Sequence, residues 1–209
     1  MRAIDGLDAH PLADTNGAFF PFWSPDGRSL GLFAHGKLIR VDVATGVVDV
    51  ICDALNGRGG TWNREDVIVF APSLTTPLYR VSAHPGSTPS ALFSPAAPGG
   101  GFRLPTFLRD GRHFVFTEMS PEGALVAIRL GSLDSQTTTV LVPGNKARVD
   151  FHGNMTEARV ASGYLFFVRA AALVAQRFDE RSLRTVGDPS VVVPRVVGED
   201  WGRYQFAVS

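Results

Sequence analysis

Apolar residues in this chain come in short runs of four to eight, many of them alternating, each closed by Gly, Pro, Asp, Asn or Ser. SLGLF (Ser29–Phe33), LIRVDV (Leu38–Val43), VIVFA (Val67–Ala71), HFVFTE (His113–Glu118) and YLFFV (Tyr164–Val168) are examples, rich in β-branched and aromatic side chains. Runs of this length and alternation are strand patterns, and almost no stretch carries the three-to-four-residue spacing of an amphipathic helix. The pattern predicts an all-β chain.

The runs recur as a unit. FWSPDGRSLGLF from Phe22, TWNREDVIVF from Thr61, TFLRDGRHFVF from Thr106 and RVASGYLFFV from Arg159 each place an apolar residue before a polar turn and then an apolar strand. A further strand follows in each: KLIRVDVATG from Lys37, PLYRVSA from Pro77, ALVAIRLGSLD from Ala124 and ALVAQRFDERS from Ala172. VVDVICD, PSALFS, TTTVLV and SVVVP then close the copies. Leu38, Leu78, Leu125 and Leu173 open the third segments at spacings of 40, 47 and 48 residues. That period fits a four-stranded propeller blade and is too long for a solenoid repeat of twenty to thirty residues.

The predicted fold is therefore a single all-β domain over 1–209, a β-propeller of four-stranded antiparallel blades at about 18–53, 58–94, 104–142 and 156–197. Residues 1–14 and 203–209 read as parts of flanking blades, so the chain is expected to be an incomplete ring belonging to a longer protein. A lone blade is marginal, and neighbours stabilise it by covering its two apolar faces. Trp23, Trp62 and Phe107 sit at one equivalent place in three copies and are expected to fill the gaps between blades, at ~25 cal/mol per Å² buried.

The turn Ser24-Pro25-Asp26-Gly27-Arg28, matched in part by Arg109-Asp110-Gly111-Arg112, resembles the WD40-like propeller repeats of the TolB type. GRGGTWN (Gly57–Asn63), PLYRVSA (Pro77–Ala83), LPTFLRDGRHF (Leu104–Phe114), LGSLDS (Leu130–Ser135), GYLFFVR (Gly163–Arg169) and LVAQRFD (Leu173–Asp179) are similar to the propeller region C-terminal to the kinase domain of many bacterial serine/threonine protein kinases. The resemblance covers nearly the whole chain and implies a sensory or scaffolding region without phosphoryl-transfer residues of its own. Two copies depart from the motif. Arg64-Glu65-Asp66 replaces the Asp-Gly turn in the second, and Ala161-Ser162-Gly163 keeps only its glycine in the fourth.

Charge narrows the partners. Lys plus Arg and Asp plus Glu are each 20, so no net field steers the chain to nucleic acid, and no apolar run is long enough to insert in a membrane. The compartment stays open, an extracytoplasmic part of a membrane-anchored parent among the alternatives. The single cysteine, Cys52, excludes an internal disulfide and a Cys-based metal cluster. His10, His35, His84, His113 and His152 fall in different copies with no paired spacing, so no metal or other cofactor is expected.

Candidate chemistry is sparse. Gly31 to Lys37 satisfies GxxxxGK, but Leu38 stands where Ser or Thr must hold magnesium, and the segment links two strands where a phosphate loop must open a helix. Kinase motifs and a GxSxG nucleophile elbow are both missing, so no catalytic residue is assigned. Asp26-Gly27 and Asp110-Gly111 are read as turn formers: the carboxylate caps backbone N–H groups and glycine accepts positive φ.

What differs between copies is the connections: DALNGRGG (Asp53–Gly60), SPAAPGGGFR (Ser94–Arg103), the segment from Asn145 to Thr156, and GEDWGR (Gly198–Arg203). In a propeller such loops gather around the central channel, where partners dock. Arg58, Arg103, His152 and Trp201 are the candidate exposed contacts there. The expected function is non-catalytic binding of a protein or peptide, or of a small ligand. The alternative is a propeller-type enzyme, or a gating domain of a peptidase, with its site in the central channel.

Overall fold

The computed structural model describes residues 12, 14–95, 97–144 and 158–196. Among these every regular element is a strand, and the sixteen strands form four antiparallel sheets, each a simple meander. The first holds β1 (Phe19–Trp23), β2 (Ser29–Ala34), β3 (Lys37–Asp42) and β4 (Val48–Asp53). β5 (Gly60–Trp62), β6 (Val67–Phe70), β7 (Leu78–Ser82) and β8 (Ser90–Phe93) form the second. The third is β9 (Gly101–Phe107), β10 (His113–Met119), β11 (Leu125–Ser132) and β12 (Thr139–Pro143), and the fourth β13 (Ala158–Ala161), β14 (Tyr164–Arg169), β15 (Ala172–Asp179) and β16 (Arg184–Val193). Successive first strands, β1 to β5 to β9 to β13, pack against one another. They are the inner strands of four propeller blades. Apart from Leu12 and Asp14, the segments read as flanking blades, 1–14 and 203–209, lie outside the described residues.

Alternation along each strand divides its side chains between two faces, so each blade feeds two cores. Phe33, Leu38 and Ile51 of the first sheet meet Trp62, Ile68 and Phe70 of the second. Val69, Ala71, Leu78 and Phe93 of the second meet Phe102, Phe114 and Phe116 of the third. Val115, Ile128 and Leu141 of the third meet Leu165, Phe167 and Val174 of the fourth. The middle core is built on close aromatic contacts: Phe93 stacks on Phe116 at 5.3 Å, and Phe102 meets Phe116 edge-on at 4.9 Å. Each such ring contributes about 1.5–3 kcal/mol by burial.

Trp23 departs from its expected place between blades, being 53% exposed, whereas Trp62 is 8% exposed and Phe107 half-buried. The register explains the difference. Trp62 pairs with Ile68, and Phe107 with Phe114, on the face that meets the preceding sheet. Trp23 pairs with Leu30 on the corresponding face of the first sheet, and no sheet among the described residues precedes it. A bulge between Phe19 and Phe22 turns Phe22 to the other face, against Phe33 at 6.3 Å, where it joins the core shared with the second blade.

The turns follow their chemistry. Asp26 accepts the Arg28 N–H at 3.0 Å and the Ser24 hydroxyl at 2.7 Å, and Asp110 accepts the N–H groups of Arg112 and His113 at 2.9 Å each. Gly27 and Gly111 take φ of 70° and 67°. In the second blade the Asn63 side chain stands in, accepting the N–H groups of Glu65 and Val67, while Asp66 takes φ of 56°. The fourth blade uses a tight hairpin with Ser162 and Gly163 both left-handed, at 50° and 77°. The GxxxxGK stretch is another such hairpin, His35-Gly36 joining β2 to β3 with φ of 52° and 74°. Lys37 pairs with Asp53 across the sheet.

Candidate ligand-binding site

The inner strands share a backbone irregularity. The residue three positions before the aromatic of each turn motif is left-handed in every copy where it is described: Phe20 (φ 51°), Gly59 (φ 96°) and Leu104 (φ 52°). A left-handed residue in a strand reverses the local pleat, and in the first and third blades the register shifts just after its preceding neighbour. That neighbour, four positions before the aromatic, is Phe19, Arg58 and Arg103 in the three blades. Arg58, two residues before β5, and Arg103, within β9, are therefore at equivalent positions of adjacent blades.

Backbone hydrogen bonds fix them. The Leu104 N–H donates to the Arg58 carbonyl at 2.8 Å, and the Arg58 N–H donates to the Ala71 carbonyl at 2.8 Å. Arg58 Nη1 donates to the Gly57 carbonyl at 2.9 Å, which sets the guanidinium plane. On the other strand the Thr117 hydroxyl donates to the Arg103 carbonyl at 3.1 Å. Gly59 is required here, since a β-carbon at that position would stand 3.0 Å from the Leu104 Cα.

Both arginines were expected as exposed loop contacts, and both are more enclosed than that. Arg58 is half-buried, and Arg103 lies within β9 at 9% exposure. The connection from Asp53 is pinned down by hydrogen bonds from Ala54 N to Gly36 O and from Asn56 N to Pro72 O. Arg103 Nε is buried with no hydrogen-bond partner. Burial lowers the pKa of Arg58, and burial together with the Arg58 charge pushes that of Arg103 down to about 10. At neutral pH both remain cationic, with no carboxylate paired to either among the described residues. His152 and Trp201 lie outside the described residues.

Several other ionisable groups have partners or are shielded. Glu118, 3% exposed, accepts from Arg129 Nε at 2.6 Å, and Arg129 Nη1 donates to the Thr138 hydroxyl at 3.1 Å. Asp110 meets His113 Nδ1 at 2.6 Å. Burial raises the Cys52 thiol to about 11, so it is not a nucleophile at neutral pH. An open cleft of about 480 Å³ runs between the first two blades at their turn ends, lined by Ser24, Asp26, Arg40, Trp62, Arg64 and Asp66. No group of three His, Cys, Asp or Glu residues suited to a metal occurs among the described residues. No helix there is long and apolar enough to cross a membrane.

Sequence reasoning picked out Arg58 and Arg103 as loop residues but missed their shared register. Counting back from Trp62 and Phe107 places them in one column with Phe19. The left-handed residue that follows has no common residue type to announce it.

No protein-family model matches the sequence, and no curated protein sequence matches it. Solved structures do match in fold. An auxiliary nutrient binding protein from Bacteroides thetaiotaomicron superposes with a TM-score of 0.62 at 14% identity, over 85% of this chain and 42% of that one. TolB from Acinetobacter baumannii gives 0.61 at 15% identity, over 86% and 44%. A structure from a study of two prolyl endopeptidases gives 0.58 at 18% identity, over 93% and 31%. The chain spans less than half the length of each of these propeller-type structures, which include binding proteins and enzymes.

Proposed function

We propose that this chain is a non-catalytic propeller module that binds a protein, a peptide or a small ligand. It would serve as the sensory or scaffolding region of a larger bacterial protein such as a serine/threonine protein kinase. The observation that carries this reading is the pair Arg58 and Arg103, a half-buried and a buried cation at equivalent positions of neighbouring blades, with no carboxylate paired to either among the described residues. Cations that keep their protons at neutral pH attract and orient a ligand but do not shuttle protons, which favours binding over acid-base chemistry. The resemblance of the turn motifs to TolB-type repeats, and of the longer segments to the propeller region of bacterial kinases, supports the wider setting.

A second reading, a propeller-type enzyme or the gating domain of a peptidase, is favoured by the fold likeness to the prolyl endopeptidase structure. One experiment separates the two. The chain is screened against a panel of peptides and small metabolites by thermal shift, and each stabilising mixture is examined by mass spectrometry after overnight incubation. Stabilisation with the compound recovered intact is expected, whereas conversion of a stabilising compound would overturn the non-catalytic assignment.

A further inference from the structure

We infer that Arg58 and Arg103 form a carboxylate-binding site, and that the ligand of this module presents a free carboxylate to the pair. The inference rests on the binding-module reading and names the chemistry of its ligand.

An enclosed cation without a partner is a costly arrangement, and two side by side repel as well. A structural role at Arg103 would be met by Met or Leu, because the neighbours Phe102, Leu104 and Pro105 are all buried and the Nε–H makes no hydrogen bond. The guanidinium stays, close enough to Arg58 to feel its charge. The 2.8 Å bond from Leu104 N–H to the Arg58 carbonyl couples the two positions directly. Arg58 Nη1 is already committed to the Gly57 carbonyl. That bond spares a ligand part of the ordering of the Arg58 side chain.

The free atom identifies the class. Nε and one Nη of a guanidinium form an edge of two parallel donors, which matches the two oxygens of a carboxylate. A carboxylate also suits the enclosure of Arg103, 9% exposed, better than a phosphate, whose larger charge and third oxygen carry a higher desolvation cost. Bound there, it would satisfy the Arg103 Nε–H and offset the repulsion from Arg58.

The test follows the arginine Nε–Hε signals of the isotope-labelled 209-residue chain by NMR, with Arg103 assigned by its loss in Arg103→Met. N-acetylglycine is added at constant ionic strength, beside its uncharged counterpart N-acetylglycinamide and inorganic phosphate. A saturable shift of the Arg103 signal is expected with N-acetylglycine and not with the amide, weakening about tenfold or more in Arg58→Met. Arg112→Met, which alters an exposed turn paired to Asp134, is expected to bind as the parent does. No saturable shift, an equal shift with the amide, or tighter binding of phosphate would each overturn the assignment. The amide comparison uses the unmodified chain, so it stands even where a variant fails to fold. Conversion of a bound compound would sink the non-catalytic reading and leave the site intact; a silent Arg103 in a chain that binds other compounds would do the reverse.

Discussion

Asp26, Asp42, Asp110 and Asp179 each accept the N–H of the residue two positions on, the local bond that closes an Asx turn. In Asp26 the Ser24 hydroxyl, in Asp42 and Asp179 the turn's own backbone N–H groups, hold the carboxyl below its ordinary range. At Asp110 burial works the other way, but hydrogen bonds from His113 and Arg112 outweigh it. A carboxyl depressed in the folded state stabilises the fold above its unfolded pKa of about 4, and that contribution is lost as pH falls through the folded value. The urea midpoint is accordingly expected to drop between about pH 5 and pH 2.5, and Asp42→Asn with Asp110→Asn to flatten that slope. At the inner strands, Gly59→Ala forces a methyl-bearing residue to φ of 96° against Leu104, with an expected loss of about 1–3 kcal/mol by denaturant titration. Arg103→Met is expected to raise the midpoint of the ligand-free chain, since it removes a desolvated charge. Asp-Gly turns were legible in sequence because Asp and Gly each have one reason to stand there. Phe20 and Leu104 were not, since neither residue type signals a left-handed backbone.

Between strands, the second blade shows how one residue replaces a motif. Asn63, 4% exposed, accepts two N–H groups of its own turn and donates Nδ2 to the Gly111 carbonyl of the next blade at 2.8 Å. Asn63→Ala leaves these groups unpaired in a buried place, with an expected loss of about 1–3 kcal/mol. Asn63→Asp keeps the acceptor and removes the donor, and is expected to retain the local turn while weakening the tie to the third blade; comparing the two by denaturant titration divides the local contribution from the inter-blade one. Strand identity was readable because each run alternates. The facing of its residues depended on neighbours, as Trp23 and Trp62 demonstrate: the same residue at the same register is exposed in one blade and enclosed in the next. The last strand was also read too short. Val191 to Val193 mark its apolar end, whereas the polar segment from Arg184 also joins the ladder to β15.

For the whole molecule, β16 is the outermost strand of its sheet, and Val191 and Val192 are 61% and 52% exposed. The exposed apolar end of this edge, Val191 to Val193, invites pairing with another chain. Light scattering is expected to detect concentration-dependent association of the chain, reduced by Val192→Lys with the urea midpoint unchanged. The blade plan was legible because the chain repeats it, and the candidate site residues were only half legible because they are where the repeats disagree. That disagreement has a consequence of its own. Phe19, Arg58 and Arg103 precede a left-handed residue at the same step of successive blades, so the repeat holds the backbone constant there while the side chain changes from blade to blade. On the carboxylate-site proposal, exchange of Arg58 or Arg103 alters ligand preference, whereas Phe19 already serves the core between the first two blades.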